Sequence, residues 1–247
     1  MAGRRHPGVT HRFFLPPGSL ANDVVTFPDS VAHQIQRVLR LGPGDRVVAL
    51  DGSGSEAVVR LLAGPDAAGV VEERRANLAE PTIELALFLG LTKASKLELV
   101  VQKGTEIGVS RFVPMLTERS VRTDLSDAKI RRLDTIAIEA AEQSERGKVP
   151  VVEPLTDFNG AVSMAREHQA VMLWEEEQAI QLGQVPLAAA GPVGLLVGPE
   201  GGFTADEAEM GVRAGLSIAS LGKRILRAET AAIVAAALVL ARLGDLG

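Results

Sequence analysis

Short apolar runs separated by turn-forming residues dominate the first 75 residues of the chain. Such runs, bounded by Gly, Pro and Asp, are typical of strands. We predict five strands here, at residues 12–15, 24–27, 46–50, 56–62 and 68–72, and one helix from Asp29 or Ser30 to about Arg40. This arrangement predicts a small β-barrel of the kind that often serves as a recognition module.

From about Ala76 the pattern changes, and apolar runs alternate with stretches of helical periodicity. The predicted strands are residues 82–90, 111–116, 149–155, 170–174, 193–197 and 216–221, and the predicted helices are residues 94–107, 126–146, 157–168, 204–214 and 229–243. Strands without polar alternation are covered on both faces, and their alternation with helices predicts a parallel sheet. The sequence therefore predicts an α/β protein with two domains, residues 1–75 and 76–247.

Two strand–loop–helix units follow each other between Val193 and about Leu240. The first strand ends at Gly198-Pro199-Glu200-Gly201-Gly202, and Thr204 to Glu207 then has the form of a helix capping box. The second strand ends at Leu221, before the basic loop 222–227. Ligands of open α/β sheets bind at the carboxyl ends of strands, so we expect the active site in these two loops.

The loop at residues 198–202 does not match a known phosphate-binding motif. It lacks the Lys-Ser/Thr of a Walker A sequence and the spacing of a dinucleotide fingerprint. Glycines let a backbone approach a ligand closely, although a tight turn that binds nothing is an open alternative. Together with Gly222, the loop predicts a pocket of backbone groups and aliphatic side chains, which suits an adenosine group.

Composition excludes several kinds of site. The chain has no Cys, which rules out disulfides, thiolate zinc sites and cysteine nucleophiles, and its 4 His residues are scattered, so we expect no metal. With aromatics at 3%, a base-stacking platform is not favoured. The most apolar run, 231–241, is too short to cross a bilayer. No apolar segment follows Arg4 and Arg5, so we expect no secretory signal. We therefore expect a cytoplasmic location.

Charge is distributed unevenly along the chain. The net charge is -5, but residues 93–132 contain 9 basic and 5 acidic residues. A local basic patch is compatible with binding a phosphate backbone, and a solvated helix face is an equally open interpretation. In the helix predicted at residues 126–146, the residues Glu139, Gln143 and Arg146 share one face, which is either a solvated stripe or part of a site.

Motifs along nearly the whole chain resemble the RsmE-type methyltransferases, which modify N3 of a uridine in 16S ribosomal RNA and belong to the SPOUT superfamily. The matching segments include KASKLE at 93–98, QKGTEIG at 102–108, TERS at 117–120, EAAEQS at 139–144, GPEGGF at 198–203 and LGKRILRAETA at 221–231. The last two segments together are the most specific.

The resemblance implies a PUA-like N-terminal β-barrel followed by a SPOUT-type α/β domain with a C-terminal trefoil knot, an exception to the usual absence of knots. It implies S-adenosylmethionine as cofactor, a homodimer, and 16S ribosomal RNA or the small ribosomal subunit as partner, without a membrane or a metal. The residues expected to hold the cofactor are Leu173, Trp174, Glu175, Gly198, Pro199, Glu200, Gly201, Gly202, Ser220, Leu221, Gly222, Ile225, Leu226 and Ala228.

Methylation of uridine N3 requires that the N3 proton leave, so a base or a stabilising cation is needed. Arg227 is the expected cation, and Glu139 or Glu229 the expected proton acceptor. The residues expected to contact RNA are Arg12, Lys93, Lys96, Arg119, Arg122, Gln143 and Arg146. Three alternatives stay open: methylation of another RNA atom such as a ribose 2′-hydroxyl, an RNA-binding protein without catalysis, and a nucleotide-phosphate enzyme.

Overall fold

The computed structural model describes residues 11–64 and 67–246, which form two compact units. The first unit reaches Glu80 and also contains Ala141–Val149, and the second contains Pro81–Ala140 and the chain from Pro150 onward. The sequence places the boundary five residues earlier and does not reveal that residues 141–149 return to the first unit. Arg4, Arg5 and the turn residues Pro65 and Asp66 lie outside the described residues.

The first unit is built on one five-stranded sheet. Its strands are β1 (Arg12–Phe14), β2 (Val24–Thr26), β3 (Arg46–Leu50), β4 (Ser55–Leu61) and β5 (Ala68–Ala76), in the order β1-β3-β4-β5-β2. β1 runs parallel to β3, and the other pairs are antiparallel. All five predicted strands are confirmed. β5 extends past its predicted end at Glu72 because its charged final residues still pair with β4, beyond an irregularity at Val58 and Val59.

The helix predicted at residues 29–40 is shorter and less regular than expected. An α-helix, α1 (Asp29–His33), passes into a π-helical turn at Gln34–Val38, and Arg40 has φ of 56°. Ile35 is buried in this turn and packs in the core of the first unit, where Phe13 and Phe27 meet edge to face at 6.5 Å. The helical segment is thus held by this apolar core.

A buried carboxylate joins three strands of the first unit to its returning segment. Glu56 on β4 accepts hydrogen bonds from Arg12 Nη1 (2.6 Å), Arg75 Nε (2.6 Å) and Asn77 Nδ2 (2.9 Å). Asn77 Nδ2 also donates to the carbonyl of Glu145 (2.9 Å), which lies in the returning segment. Burial raises the pKa of the Glu56 carboxyl, but the hydrogen bonds from Arg12, Arg75 and Asn77 lower it by more, so its pKa lies below the usual value.

The second unit is a parallel sheet, as predicted. Its strands are β6 (Leu85–Gly90), β7 (Arg111–Leu116), β8 (Val151–Val152), β9 (Thr156–Asp157), β10 (Gln169–Leu173), β11 (Val193–Val197) and β12 (Ser217–Ala219). The order is β12-β10-β11-β6-β7-β8, with β9 paired to β7. The strand expected at residues 149–155 is absent as a single element; β8 and β9 each form a two-residue pairing with β7 instead.

Five helices complete the description of this region: α2 (Ala94–Ile107), α3 (Asp127–Gln143), α4 (Phe158–Ala165), α5 (Ala205–Arg213) and α6 (Ala228–Leu243). The predicted capping box of α5 is confirmed, because Thr204 Oγ1 accepts from the amide of Glu207 and the Glu207 carboxylate accepts from the amide of Thr204. A 3₁₀ turn at Leu182–Gln184 was not predicted. None of the helices in the described residues has both the length and the apolarity to span a bilayer.

Replacing Glu56 by Gln is expected to destabilise the protein by about 3 kcal/mol, because Arg12 and Arg75 lose a buried partner of opposite charge. The folded-state pKa of Glu56 lies below its ordinary value, so its contribution is complete at neutral pH and is lost as the pH falls through the folded-state pKa, below about 4.5. Urea unfolding at a series of pH values between 3 and 7, spaced by about one pH unit, measures both the loss of stability and its dependence on pH.

Glu72 provides a matched control. It bridges Arg46 and Arg60 on the same sheet, but at the solvent-exposed surface. Exposed ion pairs contribute little to stability, so Glu72→Gln is expected to have a much smaller effect than Glu56→Gln. Equal losses of stability in the two variants would show that burial of the Glu56 carboxylate does not determine its contribution to stability.

Candidate functional site

A cavity of about 420 Å³ lies at the carboxyl ends of three neighbouring parallel strands. Trp174 follows β10, Gly198 follows β11 and Ser220 follows β12, and all three residues line the cavity. The parallel pairing of β10 with β11 and with β12 brings these strand ends to one edge of the sheet. The volume of the cavity lies in the range of roughly 300–1,000 Å³ that is typical of small-molecule sites.

The loop 198–202 approaches the neighbouring backbone so closely that side chains are excluded. A Cβ at Gly90, the last residue of β6, would overlap the backbone nitrogen of Pro199. Gly202 has φ of 68° and donates its amide to the carbonyl of Pro199 at 3.0 Å, which closes the turn. Glycine is therefore required at Gly90 for space and at Gly202 for its backbone conformation.

Arg119 also fixes this loop, through hydrogen bonds to backbone carbonyls. Its Nη1 donates to the carbonyl of Gly201 at 2.9 Å and to the carbonyl of Phe203 at 3.3 Å. The preceding residue, Glu118, donates its amide to the carboxylate of the buried Glu207 at 2.9 Å. The segment after β7 is thus fastened to the loop and to the first turn of α5.

Lys96 forms an ion-paired cluster on one wall of the cavity. Its Nζ lies 3.2 Å from Glu200 Oε1 and 3.2 Å from Glu229 Oε2. Burial lowers the pKa of the Lys96 ammonium, but the carboxylates of Glu229 and Glu200 raise it by more, so it lies above its usual value. Burial raises the pKa of Glu229, but its own backbone amide, Lys96 and Arg227 lower it by more, so it lies below its usual value.

Trp174 contributes a buried hydrogen-bond donor to the cavity wall. Its Nε1 is buried and has no partner among the described residues. A buried donor without a partner carries a desolvation penalty, so such groups in a cavity wall suit a ligand that supplies an acceptor. The other lining residues include glycines and aliphatic residues of the three loops as well as the charged residues Lys96, Glu175, Glu200, Arg224 and Arg227.

The structure brings together all of the predicted cofactor residues except Gly201, whose carbonyl accepts from Arg119 instead. The cavity wall also contains Lys96, Val197 and Ala231, which the sequence does not point to as cofactor residues, and Arg224 and Arg227, which belong to the basic loop expected at the site. The sequence predicts that Lys96 contacts RNA, because it lies in a basic segment. Its partners Glu200 and Glu229 lie more than a hundred positions away, so a count of charge along the chain does not reveal them.

The three predicted catalytic residues are not placed alike. Arg227 lines the cavity and is exposed at the N-cap of α6. Glu229 is paired with Lys96, and its lowered pKa makes it a weaker proton acceptor than an ordinary carboxylate. Glu139 is exposed on α3 and is not among the described residues that line the cavity.

The predicted RNA contacts also separate into groups. Lys93, Arg122 and Gln143 are exposed, Arg119 is exposed but bonded to the loop carbonyls, and Lys96 is ion-paired in the cavity.

Two of these contacts do not fit the structure. The Arg146 side chain is 2% exposed and paired with Glu80, which contradicts its predicted RNA contact. Arg12 is held between Glu56 and Glu145 with 12% of its side chain exposed, so it too is a structural residue here. The predicted shared face of Glu139, Gln143 and Arg146 is wrong because α3 ends at Gln143 and Glu145 has a positive φ.

Comparison with known proteins gives the family. Residues 79–240 match the model of an RNA methyltransferase domain, and residues 27–72 match that of an RNA methyltransferase PUA domain. The chain is 34% identical to ribosomal RNA small subunit methyltransferase E of Synechocystis over 93% of its length and 77% of the relative's. The corresponding Bacillus subtilis protein is 33% identical, with 82% and 84% covered. The chain belongs to the methyltransferase E family.

Two solved structures have an architecture similar to that of this chain. The methyltransferase E of Neisseria gonorrhoeae, bound to S-adenosylmethionine, has a TM-score of 0.89 and 29% identity, with 96% of this chain and 100% of that chain covered. A Legionella pneumophila protein in complex with the same cofactor has a TM-score of 0.84 and 25% identity, with 94% and 98% covered. In the described part of this chain, no group of three or more His, Cys, Asp or Glu residues is arranged to hold a metal ion.

Replacing Gly90 by Ala is expected to disturb the cavity, because the added Cβ would meet backbone atoms of Gly198 and Pro199, which cannot rotate away. Overpacking of this kind destabilises by about 1–3 kcal/mol. Urea unfolding measures the loss, and the emission of Trp174, the single Trp of the chain, reports on the cavity wall.

The control is Gly183→Ala in the 3₁₀ turn, where a Cβ would meet no atom within 4 Å. It should leave both the stability and the Trp174 emission nearly unchanged. If Gly90→Ala were equally harmless, the close approach of β6 to the loop would not constrain the site.

Proposed function

We propose that this protein transfers the methyl group of S-adenosylmethionine to N3 of a uridine in 16S ribosomal RNA of the small subunit. The observation that carries the proposal is the cavity itself, formed by three loops at the carboxyl ends of β10, β11 and β12. The family membership of the chain supports the reaction, and a family member with closely similar architecture binds this cofactor. Since ribosomal RNA is the substrate, we place the protein in the cytoplasm.

The residues present suit the cofactor. Backbone groups of the loops 198–202 and 220–226 offer donors and acceptors to a base and ribose, and Leu173, Leu221 and Leu226 offer apolar contact. The buried Nε1 of Trp174 offers one more donor. When bound, S-adenosylmethionine supplies a methyl group on a sulfonium, which makes that methyl electrophilic.

The chain's own contribution to the chemistry is positioning and electrostatics. Uridine N3 becomes a good nucleophile when it loses its proton, and a cation beside the uracil stabilises the resulting anion. Arg227 is suited to this role, since it lines the cavity and is exposed, and its side chain can therefore meet an incoming base. Glu229 is less suited as the base, because Lys96 and Arg227 keep its carboxylate ionised and weakly basic.

The finer features of the fold belong to this proposal. We infer a trefoil knot in the second unit, supported by the strand order: β11 enters between β6 and β10, and the chain then passes back across β10 to add β12 at the edge. We also infer that the first unit closes into a PUA-like barrel.

We further infer a homodimer. Val234 and Leu238 are 37% and 52% exposed on α6. They stand four residues apart on one helix face and thus suit burial against a second copy.

The proposed RNA contacts are Lys93, Arg122 and Gln143, all of which are exposed.

Incubation of the protein with S-adenosylmethionine and small ribosomal subunits that lack the modification should produce 3-methyluridine. Nucleoside mass spectrometry identifies the product, because base and ribose methylation give different fragments. A 2′-O-methylated nucleoside would favour the alternative reaction, and the absence of any methylated product would reject the proposed activity.

Replacing Arg227 by Ala is expected to lower turnover about a hundredfold or more, because a group that stabilises developing negative charge is lost. Cofactor affinity, measured through the emission of Trp174, should change far less. Lys223→Ala is the matched control, since it removes a positive charge from the same loop at an exposed position that does not line the cavity. Equal turnover by the two variants would remove Arg227 from the mechanism.

A further inference from the structure

Lys96 joins three elements that are far apart in the sequence. It stands in the first turn of α2, Glu200 in the loop after β11, and Glu229 in the first turn of α6. The single ammonium lies 3.2 Å from a carboxylate oxygen of each. We call this cluster of Lys96, Glu200 and Glu229 the clamp.

The clamp is held in a partly desolvated position. The exposed fractions of the three side chains are 25% for Lys96, 28% for Glu200 and 12% for Glu229. Glu229 Oε2 is buried, and Lys96 is the cation beside it. Without the ammonium, two carboxylates would face each other at the cavity wall with a buried charge uncompensated, and such an arrangement is strongly unfavourable. The loop and the helix would then move apart.

Arg227 is connected to the clamp through a very short piece of chain. It is the N-cap residue of α6, and Glu229 is two residues further along the same turn. Ala228, between them, lines the cavity. A shift of Glu229 therefore shifts the backbone that presents Arg227, although Lys96 itself lies on another helix.

We propose that Lys96 is a positioning residue, which acts by holding the start of α6 and the loop 198–202 so that Arg227 meets the uracil. This inference rests on the proposed function. It replaces the expectation that Lys96 contacts RNA phosphate. Lys93, the N-cap residue of α2, is better placed for that contact because it is exposed. Small misplacements of a group in the transition state are enough to reduce turnover severely.

The test compares Lys96→Met, Glu229→Gln and Glu200→Gln with Lys93→Met. Lys96→Met, Glu229→Gln and Glu200→Gln are each expected to lower kcat by about tenfold to a hundredfold while RNA affinity and its salt dependence stay unchanged. Lys93→Met is expected to do the opposite, with weaker RNA binding and a salt slope reduced by about 0.9. Lys96→Arg, which keeps the charge, should retain most of the turnover.

Double variants show whether Lys96 acts through its neighbours. Lys96→Met added to Glu229→Gln should lower kcat no further, and the same substitution added to Arg227→Ala should also have little additional effect. Multiplied losses in both backgrounds would overturn the proposal, because they would mean independent roles. A smaller salt slope with normal kcat in Lys96→Met would show a phosphate contact and would also overturn it.

Hydrogen exchange provides a readout that does not depend on methylation. The amides of residues 228–231 should exchange faster in Lys96→Met and Glu229→Gln than in the wild type. Lys103→Met is the control, since it removes a lysine paired with Glu106 two turns along the same helix. A wild-type protein that transfers no methyl group would reject the proposed function. Unchanged exchange at residues 228–231 in the variants would instead reject the positioning role of the clamp. Should Lys96→Met not fold, the two glutamate variants and Lys96→Arg decide the same question.

Discussion

The site depends on the parallel pairing of β10 with β11 on one side and β12 on the other. In a parallel sheet the strand ends of one polarity lie at one edge, so three loops that are remote in sequence come to surround the same space. Residues of these loops, together with Lys96 of α2 and the first residues of α6, line the cavity. Glycine at the end of β6 and within the loop after β11 is what lets the backbones approach closely enough.

Both units contain charged side chains that are partly or fully removed from water and compensated by opposite charges, but these charges serve different purposes in the two units. In the first unit the carboxylate of Glu56 is enclosed by two arginines and an asparagine, and it serves to tie strands together. In the second, Lys96 stands between two carboxylates at the edge of the cavity. Both arrangements compensate charges that have left water, but only the second lies where chemistry is expected.

The residues that sequence reasoning placed well are those whose role is set locally. Most strand and helix positions followed from periodicity, with the strand expected at 149–155 and the helix expected at 29–40 as the exceptions. The loops at 198–202 and 221–227 followed from glycines at the ends of apolar runs. Residues whose role depends on a distant partner were placed poorly. Arg146 was assigned to RNA on the assumption that α3 continued, whereas the helix ends at Gln143 and the arginine is buried against Glu80.

The sequence by itself determined most of the succession of strands and helices along the chain, the parallel character of the larger sheet and the loops from which a cavity is built, because these follow from the local pattern of side chains. Only the tertiary structure decided which charges are free and which are paired. Lys93 and Lys96 are three residues apart on one basic segment, yet one is exposed and the other lies between Glu200 and Glu229. The free energy of an ion pair depends on the distance and burial of its partners in space, and a local pattern contains neither quantity.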